Sequence, residues 1–290
     1  MSDGVTDIQD LERRCLETRL RILEQIEVAG GGHYGSSLSL VELLVSLYHT
    51  YLRVRPDDPD WIDRDRVILS KGHGCSALYA VLADLGFFDR AELHTFTRLG
   101  SDFGDHPDRT KVTGVDFSSG SLGHGLSVGA GMATGLRLRG SAGRVVVVIG
   151  DGEQDEGQMW EAAGYAAARG LSNLMAVCDR NGVQVDGPTK EILDLEPMGE
   201  KWRSFGWNVR EVDGHDLPAL VRTWEDVAED QQNQGGRPTI VIARTSAGKG
   251  IPDIEGDAAW HVGYLHGPDM EAAVRTIRAM YPAVNAGAER

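Results

Sequence analysis

The sequence predicts an α/β protein built on a parallel sheet with helices on both faces and a helical layer at its N-terminus. Three observations predict it. Residues 144–149 (RVVVVI) form an unbroken run of mostly β-branched residues, the pattern of a strand covered on both faces. Residues 8–27 place Leu11, Cys15, Leu16, Leu20, Leu23 and Ile26 at helical spacing among charges. Strand-like and helix-like segments then alternate through the second half, as crossover connections between parallel strands require.

The elements follow in order. The amphipathic pattern of 8–27 gives a first helix, broken at 29–35 by Gly30, Gly31, Gly32 and Gly35. A second helix is expected over 40–52, ending before Pro56, and 65–70 (DRVILS) reads as a short buried strand. Residues 76–85 are helical again, and a small-residue helix is expected at 126–138. The strand at 144–149 stops at Gly150-Asp151-Gly152, and a helix over 157–169 leads to a strand at 174–178. Further strands are expected near 207–212 and 239–243, with 229–237 as a polar surface loop. No internal repeat is present, so a single domain over 8–280 is expected, with 281–290 as a frayed tail.

Composition narrows the functional class. With 29 basic against 44 acidic residues, the net charge of −15 repels nucleic acid and anionic membrane, so any bound phosphate must be held locally. No stretch reaches the roughly 18 apolar residues that a membrane span needs. Cys15, Cys75 and Cys178 follow no disulfide or zinc spacing, and the first ten residues are polar and acidic rather than signal-like. A reducing cytoplasm is the expected compartment.

In parallel sheets ligands sit beyond the carboxyl ends of the strands, which directs attention to two turns. Gly150-Asp151-Gly152 follows one strand, and Asp179-Arg180-Asn181-Gly182 follows the next. The Asp151 carboxylate and the Asn181 carbonyl are hard oxygen ligands of the kind Mg²⁺ prefers, and the glycines let backbone approach a pyrophosphate. Either residue alone also serves as an ordinary turn former. Glu156 falls near a helix N-terminus, where an acid is favoured by the macrodipole.

Four histidines lie in glycine- or proline-containing loops: His33 in GGHYGSS, His73 in SKGHG, His106 in GDHPD and His261 in AAWHVG. Imidazole suits a pocket that binds phosphate oxygens or sugar hydroxyls and moves protons near neutral pH. His49 and His94 are read as structural, whereas His124, His215 and His266 stay open. The glycine-rich loop 118–125 (SSGSLGHG), which contains Gly120, Ser121 and Leu122, leads into a helix and can offer backbone N–H groups to an anion. Neither GxxxxGK[ST] nor a strand-linked GxGxxG is present.

These motifs, in this order from about residue 10 to residue 265, resemble the N-terminal, pyrophosphate-binding part of transketolase. The segments that carry the resemblance are GGHYGSSLSLVELLVSLY, DRVILSKGHG, GDHPD, SSGSLGHG, GDGEQDEG, CDRNGVQVDGPT, KWRSFGWNVREVDGHD and the Trp260-His261 pair. The resemblance implies a thiamine-diphosphate-binding fold and transfer of a two-carbon ketol unit from a ketose or ketose phosphate donor to an aldehyde acceptor. By resemblance, Asp151, Asn181 and the Val183 carbonyl hold Mg²⁺ or Ca²⁺, and Gly152 and His73 contact the pyrophosphate. Gly120 and Leu122 meet the aminopyrimidine, with Ser121 in the same loop and Ser36 as a further cofactor-side residue. Glu156 belongs to a carboxylate network at a subunit interface. His33 and His261 lie beside the thiazolium and the substrate oxygens, and His106 lies at the donor hydroxyl.

A transketolase also has a domain carrying a pyrimidine-side glutamate and most substrate-phosphate contacts. The resemblance therefore implies a split enzyme, inactive alone, with a C-terminal partner subunit in an α₂β₂ assembly. Three departures bear on substrate. Ala247 stands where relatives carry lysine, with Lys249 as a replacement; LGQG is here LGHG, with His124; and Val262-Gly263-Tyr264-Leu265 follows Trp260-His261. They point to a non-standard, biosynthetic donor or acceptor. The competing readings are decarboxylating 2-oxo acid chemistry and a non-catalytic regulatory subunit that only binds the cofactor.

Overall fold

The computed structural model describes residues 6–233 and 236–284. The chain opens with α1 (Ile8–Ala29), whose N-cap Asp7 accepts from the Gln9 amide and whose end is turned by Gly30 at φ 75°. The expected second helix begins earlier and is broken: α2 (Tyr34–Ser39), α3 (Val41–Ser46) and a π turn, Leu47–Tyr51. Every residue of α2 and α3 is buried, so tertiary packing, not amphipathic periodicity, sets these helices.

Strand β1 (Arg66–Leu69) leads through a 3-10 turn, Gly72–Gly74, into α4 (Cys75–Leu85). A long loop leads to α5 (His124–Leu138), followed by β2 (Val145–Gly150), α6 (Gly157–Ala168) and β3 (Leu174–Arg180). A short hairpin of β4 (Val183–Gln184) and β5 (Gly187–Pro188) precedes α7 (Thr189–Ile192) and α8 (Met198–Ser204). The chain then forms β6 (Asn208–Asp213), α9 (Leu217–Asn233), β7 (Thr239–Arg244) and α10 (Gly267–Ala279). The expected loop at 229–237 is corrected in its first part by α9, which runs to Asn233; residues 236–237 are non-helical as expected, and 234–235 lie outside the described residues. Its apolar stripe, including Leu220, Val221, Trp224 and Val227, carries the helix past the polar composition that suggested a loop.

The sheet is five-stranded and wholly parallel in the order β1-β2-β3-β7-β6. Alternation along its central strands supplies two cores. Val146, Val148, Met175, Val177, Val241 and Ala243 face the layer that holds α1, α3, α4 and α9. Val145, Val147, Ile149, Ala176, Cys178 and Ile242 face α5 and α6, where Trp202 and Trp207 also pack. This double burial explains the unbroken apolar run of β2.

A buried polar network ties the helical layer to the sheet. Arg19, fully buried, donates to Glu42 Oε1 (2.5 Å), to the carbonyls of Leu38 and Lys249 (2.9 Å each) and, through Nε, to Tyr281 Oη (3.0 Å). Tyr281, at the head of the stretch expected to fray, is thus a buried anchor, and residues 285–290 lie outside the described residues. The three cysteines are buried and free, and no described helix is long and apolar enough to cross a membrane.

Candidate active site

A cleft of about 320 Å³ opens beyond the carboxyl ends of β1, β2 and β3. The four loop histidines converge there. His33 lies 5.3 Å from His73, 5.4 Å from His261 and 6.3 Å from His106 between ring centroids, and His73 lies 5.1 Å from His261.

Glycines make this convergence possible. Gly32 and Gly263 exchange two backbone hydrogen bonds of 3.0 Å, which clamps the His33 loop to the His261 loop. A Cβ on Gly263 would stand 2.4 Å from the Trp260 ring. In SKGHG, a Cβ on Gly72 would meet Ser119 Oγ at 2.7 Å and one on Gly74 would meet Leu40 at 2.6 Å, so both flanks of His73 are pressed against other loops. Tyr79 donates to the Gly104 and His106 carbonyls (3.1 and 3.2 Å), which holds the His106 loop.

The imidazoles of His73, His106 and His261 are neutral at physiological pH. Burial, reinforced by the positive charge of Lys71, pushes His73 down to about 2. Burial and neighbouring His33 bring His261 to about 4, and burial lowers His106 against the opposing pull of Asp105. A neutral imidazole both donates and accepts hydrogen bonds, so the cluster is equipped to handle hydroxyls and protons.

The opposite wall is built by two adjacent strands. Gly150 stands beside Asp179 in the β2–β3 register, which aligns the turns that follow. Asp151 Oδ1 accepts from the Gly152 amide (2.9 Å) and Oδ2 from the Gly182 amide (2.7 Å). Burial raises its carboxyl to about 6 despite these bonds. Asn181 donates to Asp179 Oδ2 (3.3 Å) while its Oδ1 accepts from the Val183 amide (3.1 Å), which fixes the orientation of the carboxamide.

Of the residues expected at the site, His33, Ser36, His73, His106, Gly120, Leu122, Asp151, Gly152, Asn181, Val183 and His261 all line this cleft. Two expected residues are not among them. Glu156 is exposed at the N-cap of α6 and makes no side-chain capping bond, because the 3-10 turn Gly152–Asp155 carries the chain outward before the helix begins. Ser121 is likewise exposed and is not part of the cleft lining. Ala247 lines the cleft, whereas Lys249, its expected replacement, does not: it pairs with Glu255 Oε1 at 3.0 Å.

Sequence reasoning missed three charged residues that hold the cleft together. Glu153, 3% exposed, accepts from Ser70 Oγ and from the amides of Gly123 (2.8 Å) and Gly150 (3.0 Å), stitching three loops into one wall. Lys71 and Asp179 form a buried ion pair of 2.5 Å, and Asp179 also accepts from Ser39 (2.6 Å) and Thr245. Lys71 in SKGHG and Glu153 in GDGEQDEG stand inside the motifs that carry the resemblance, which was the available signal.

The residues present fit a metal-bound pyrophosphate. Ser36 Oγ is a buried hydroxyl with no hydrogen-bond partner among the described residues, and it lines the cleft. Among the described residues no group of three or more His, Cys, Asp or Glu could hold a metal ion. Asp151, Asn181 and the Val183 carbonyl instead offer a mixed oxygen set, which suits a cation whose remaining ligands come from phosphate.

Comparison with known proteins gives the family. The family described as "Transketolase, thiamine diphosphate binding domain" matches residues 12–284. The chain belongs to the transketolase family. It is 42% identical over 252 residues to the 6-deoxy-6-sulfo-D-fructose transketolase subunit SqwG of Clostridium sp. (strain MSTE9), covering 87% of this chain and 90% of that protein. It is 38% identical over 270 residues to one subunit of the apulose-4-phosphate transketolase of Phocaeicola vulgatus, covering 93% and 94%. A transketolase mutant from Pichia stipitis superposes with a TM-score of 0.86 at 28% identity, over 94% of this chain and 40% of that one. The chain is thus a transketolase-type transferase component with a thiamine-diphosphate-binding domain, and it spans less than half the length of that solved transketolase.

Proposed function

We propose that this chain is the pyrophosphate-binding subunit of a two-chain transketolase that moves a two-carbon ketol unit from a ketose or ketose phosphate to an aldehyde. The observation that carries this reading is the convergence of four histidines on a cleft whose other wall is Asp151, Gly152 and Asn181. When bound, thiamine diphosphate supplies the electron sink for carbon–carbon cleavage.

The chain's own residues bind and orient. Asp151, Asn181 and the Val183 carbonyl are the ligands for Mg²⁺, and Gly152, Ser36 and His73 are the pyrophosphate contacts. His33, His106 and His261 hold donor hydroxyls and relay their protons, a task for which imidazoles are suited. Glu156 and Ser121, exposed outside the cleft, are placed by this reading against the partner subunit. Two relatives named as transketolase subunits, each nearly covered by this chain, support a separate partner, and we infer an α₂β₂ assembly in the cytoplasm.

Those relatives are named for a sulfosugar and for apulose 4-phosphate. Together with Ala247, His124 and the 262–265 segment, they favour a donor or acceptor outside the ordinary pentose phosphates; those three sequence departures alone point to a biosynthetic setting. The test is donor cleavage by the assembled pair. Ketose cleavage to a shortened aldehyde without release of carbon dioxide is expected, and decarboxylation of a 2-oxo acid in its place would overturn the reading.

A further inference from the structure

A second cavity, of about 580 Å³, lies at the start of β1, at the opposite end of that strand from the cleft. Its lining includes Arg64, Arg66, Arg109, Lys111 and Arg139, against the carboxylates of Asp60 and Asp116. This basic excess stands in a chain that carries 44 acidic and 29 basic residues.

Only part of this positive charge is neutralised from within. Asp116 is committed to Arg64, which donates to both of its oxygens at 2.6 and 3.1 Å, and Oδ2 also accepts from the Val67 amide at 2.8 Å. Arg66 approaches the same carboxylate only to 3.8 Å and spends its donors on the carbonyls of Arg64, Asp65 and Ile62. Arg109 and Arg139 are exposed and have no ion-pair partner among the described residues. Burial and the neighbouring charge of Arg64 lower Arg66 from its ordinary value against the opposing pull of Asp116 and Asp65, and Arg139 adds a smaller lowering. An anion entering the cavity would relieve that crowding. The lining segment 109–116 also lies between two cleft residues, His106 and Gly120, so one loop serves both places.

We propose that this cavity is a binding site for a small polyanion of the diphosphate class, separate from the thiamine diphosphate cleft. The guanidinium groups of Arg109 and Arg139, with Lys111 in the same lining, present N–H donors that suit multiple phosphate oxygens better than a single carboxylate. The size of the cavity admits more than a bare phosphate.

The test is calorimetric titration of the full chain with ADP and with inorganic pyrophosphate, in buffer free of divalent metal. Arg109→Gln/Arg139→Gln keeps two exposed positions polar, and an unchanged thermal transition checks that it folds. The proposal expects binding that weakens with added salt, falls about tenfold or more in the double variant and is unchanged in Asp151→Asn. Absence of binding, equal binding by the double variant, or binding altered in Asp151→Asn, which would put the anion in the cleft, overturns it. Because neither variant result depends on ketol transfer, failure here leaves the proposed activity standing.

Discussion

Glu42→Gln tests how the helical layer holds the wall of the cleft. Glu42 is 4% exposed, accepts from Arg19 at 2.5 Å and from Tyr281 at 3.1 Å, and faces His215 Nδ1 at 2.9 Å. His215 Nε2 in turn accepts from the Ser246 amide at 2.9 Å, so the imidazole carries its proton on Nδ1 and links Glu42 to the loop that contains Ala247. Burial would raise the Glu42 carboxyl, but the Arg19 guanidinium overrides it and holds the group at about 2 against an ordinary 4.5. A depressed carboxylate contributes stability above its unfolded value and loses it as pH falls toward the folded one. At 1.36 kcal/mol per pH unit, the shift from 4.5 to about 2 corresponds to about 3 kcal/mol at pH 7. The same linkage leaves about 1.4 kcal/mol at pH 3. Arg19 would remain buried without its counter-charge, a situation that costs about 3–5 kcal/mol in other proteins. Urea unfolding of both proteins at pH 7 and pH 3 measures the gap. A loss that is equal at the two pH values, or under about 1 kcal/mol at pH 7, would refute the reasoning.

Three further outcomes follow from the site. Asp151→Asn should weaken Mg²⁺-dependent binding of thiamine diphosphate by about a hundredfold, the equivalent of about 3 kcal/mol, and calorimetry with and without a chelator reads it. Gly263→Ala should destabilise the chain by about 1–3 kcal/mol in denaturant unfolding, because its Cβ would lie 2.4 Å from the Trp260 ring. Asp105 stands 3.4 Å from His33 Nδ1, so Asp105→Asn should lower kcat of the assembled enzyme with little change in stability; an unaltered kcat would remove it from the site.

The sheet was legible because β2 and β3 are buried on both faces and therefore read as continuous apolar runs. The second helix was legible only in part: its earlier start and its breaks were not, since α2 and α3 are buried all round and carry no amphipathic stripe. Within the site, the loop histidines were readable from their glycine neighbours, which the structure explains by close approach at Gly72, Gly74 and Gly263. Glu156 and Glu153 illustrate the limit. Both are acids just past Gly152, and only the 3-10 turn decides that Glu153 points into the loop junction while Glu156 stays exposed. The Lys71–Asp179 pair joins residues far apart in the chain, so no local pattern announces it.

Steady-state ketol transfer with thiamine diphosphate and Mg²⁺ tests the central claim most directly, measured for this chain alone, for the chain with its partner subunit, and for the pair carrying Asp151→Asn. The account predicts turnover only in the wild-type pair. Robust turnover by this chain alone, or undiminished turnover in the Asp151→Asn pair, would contradict it.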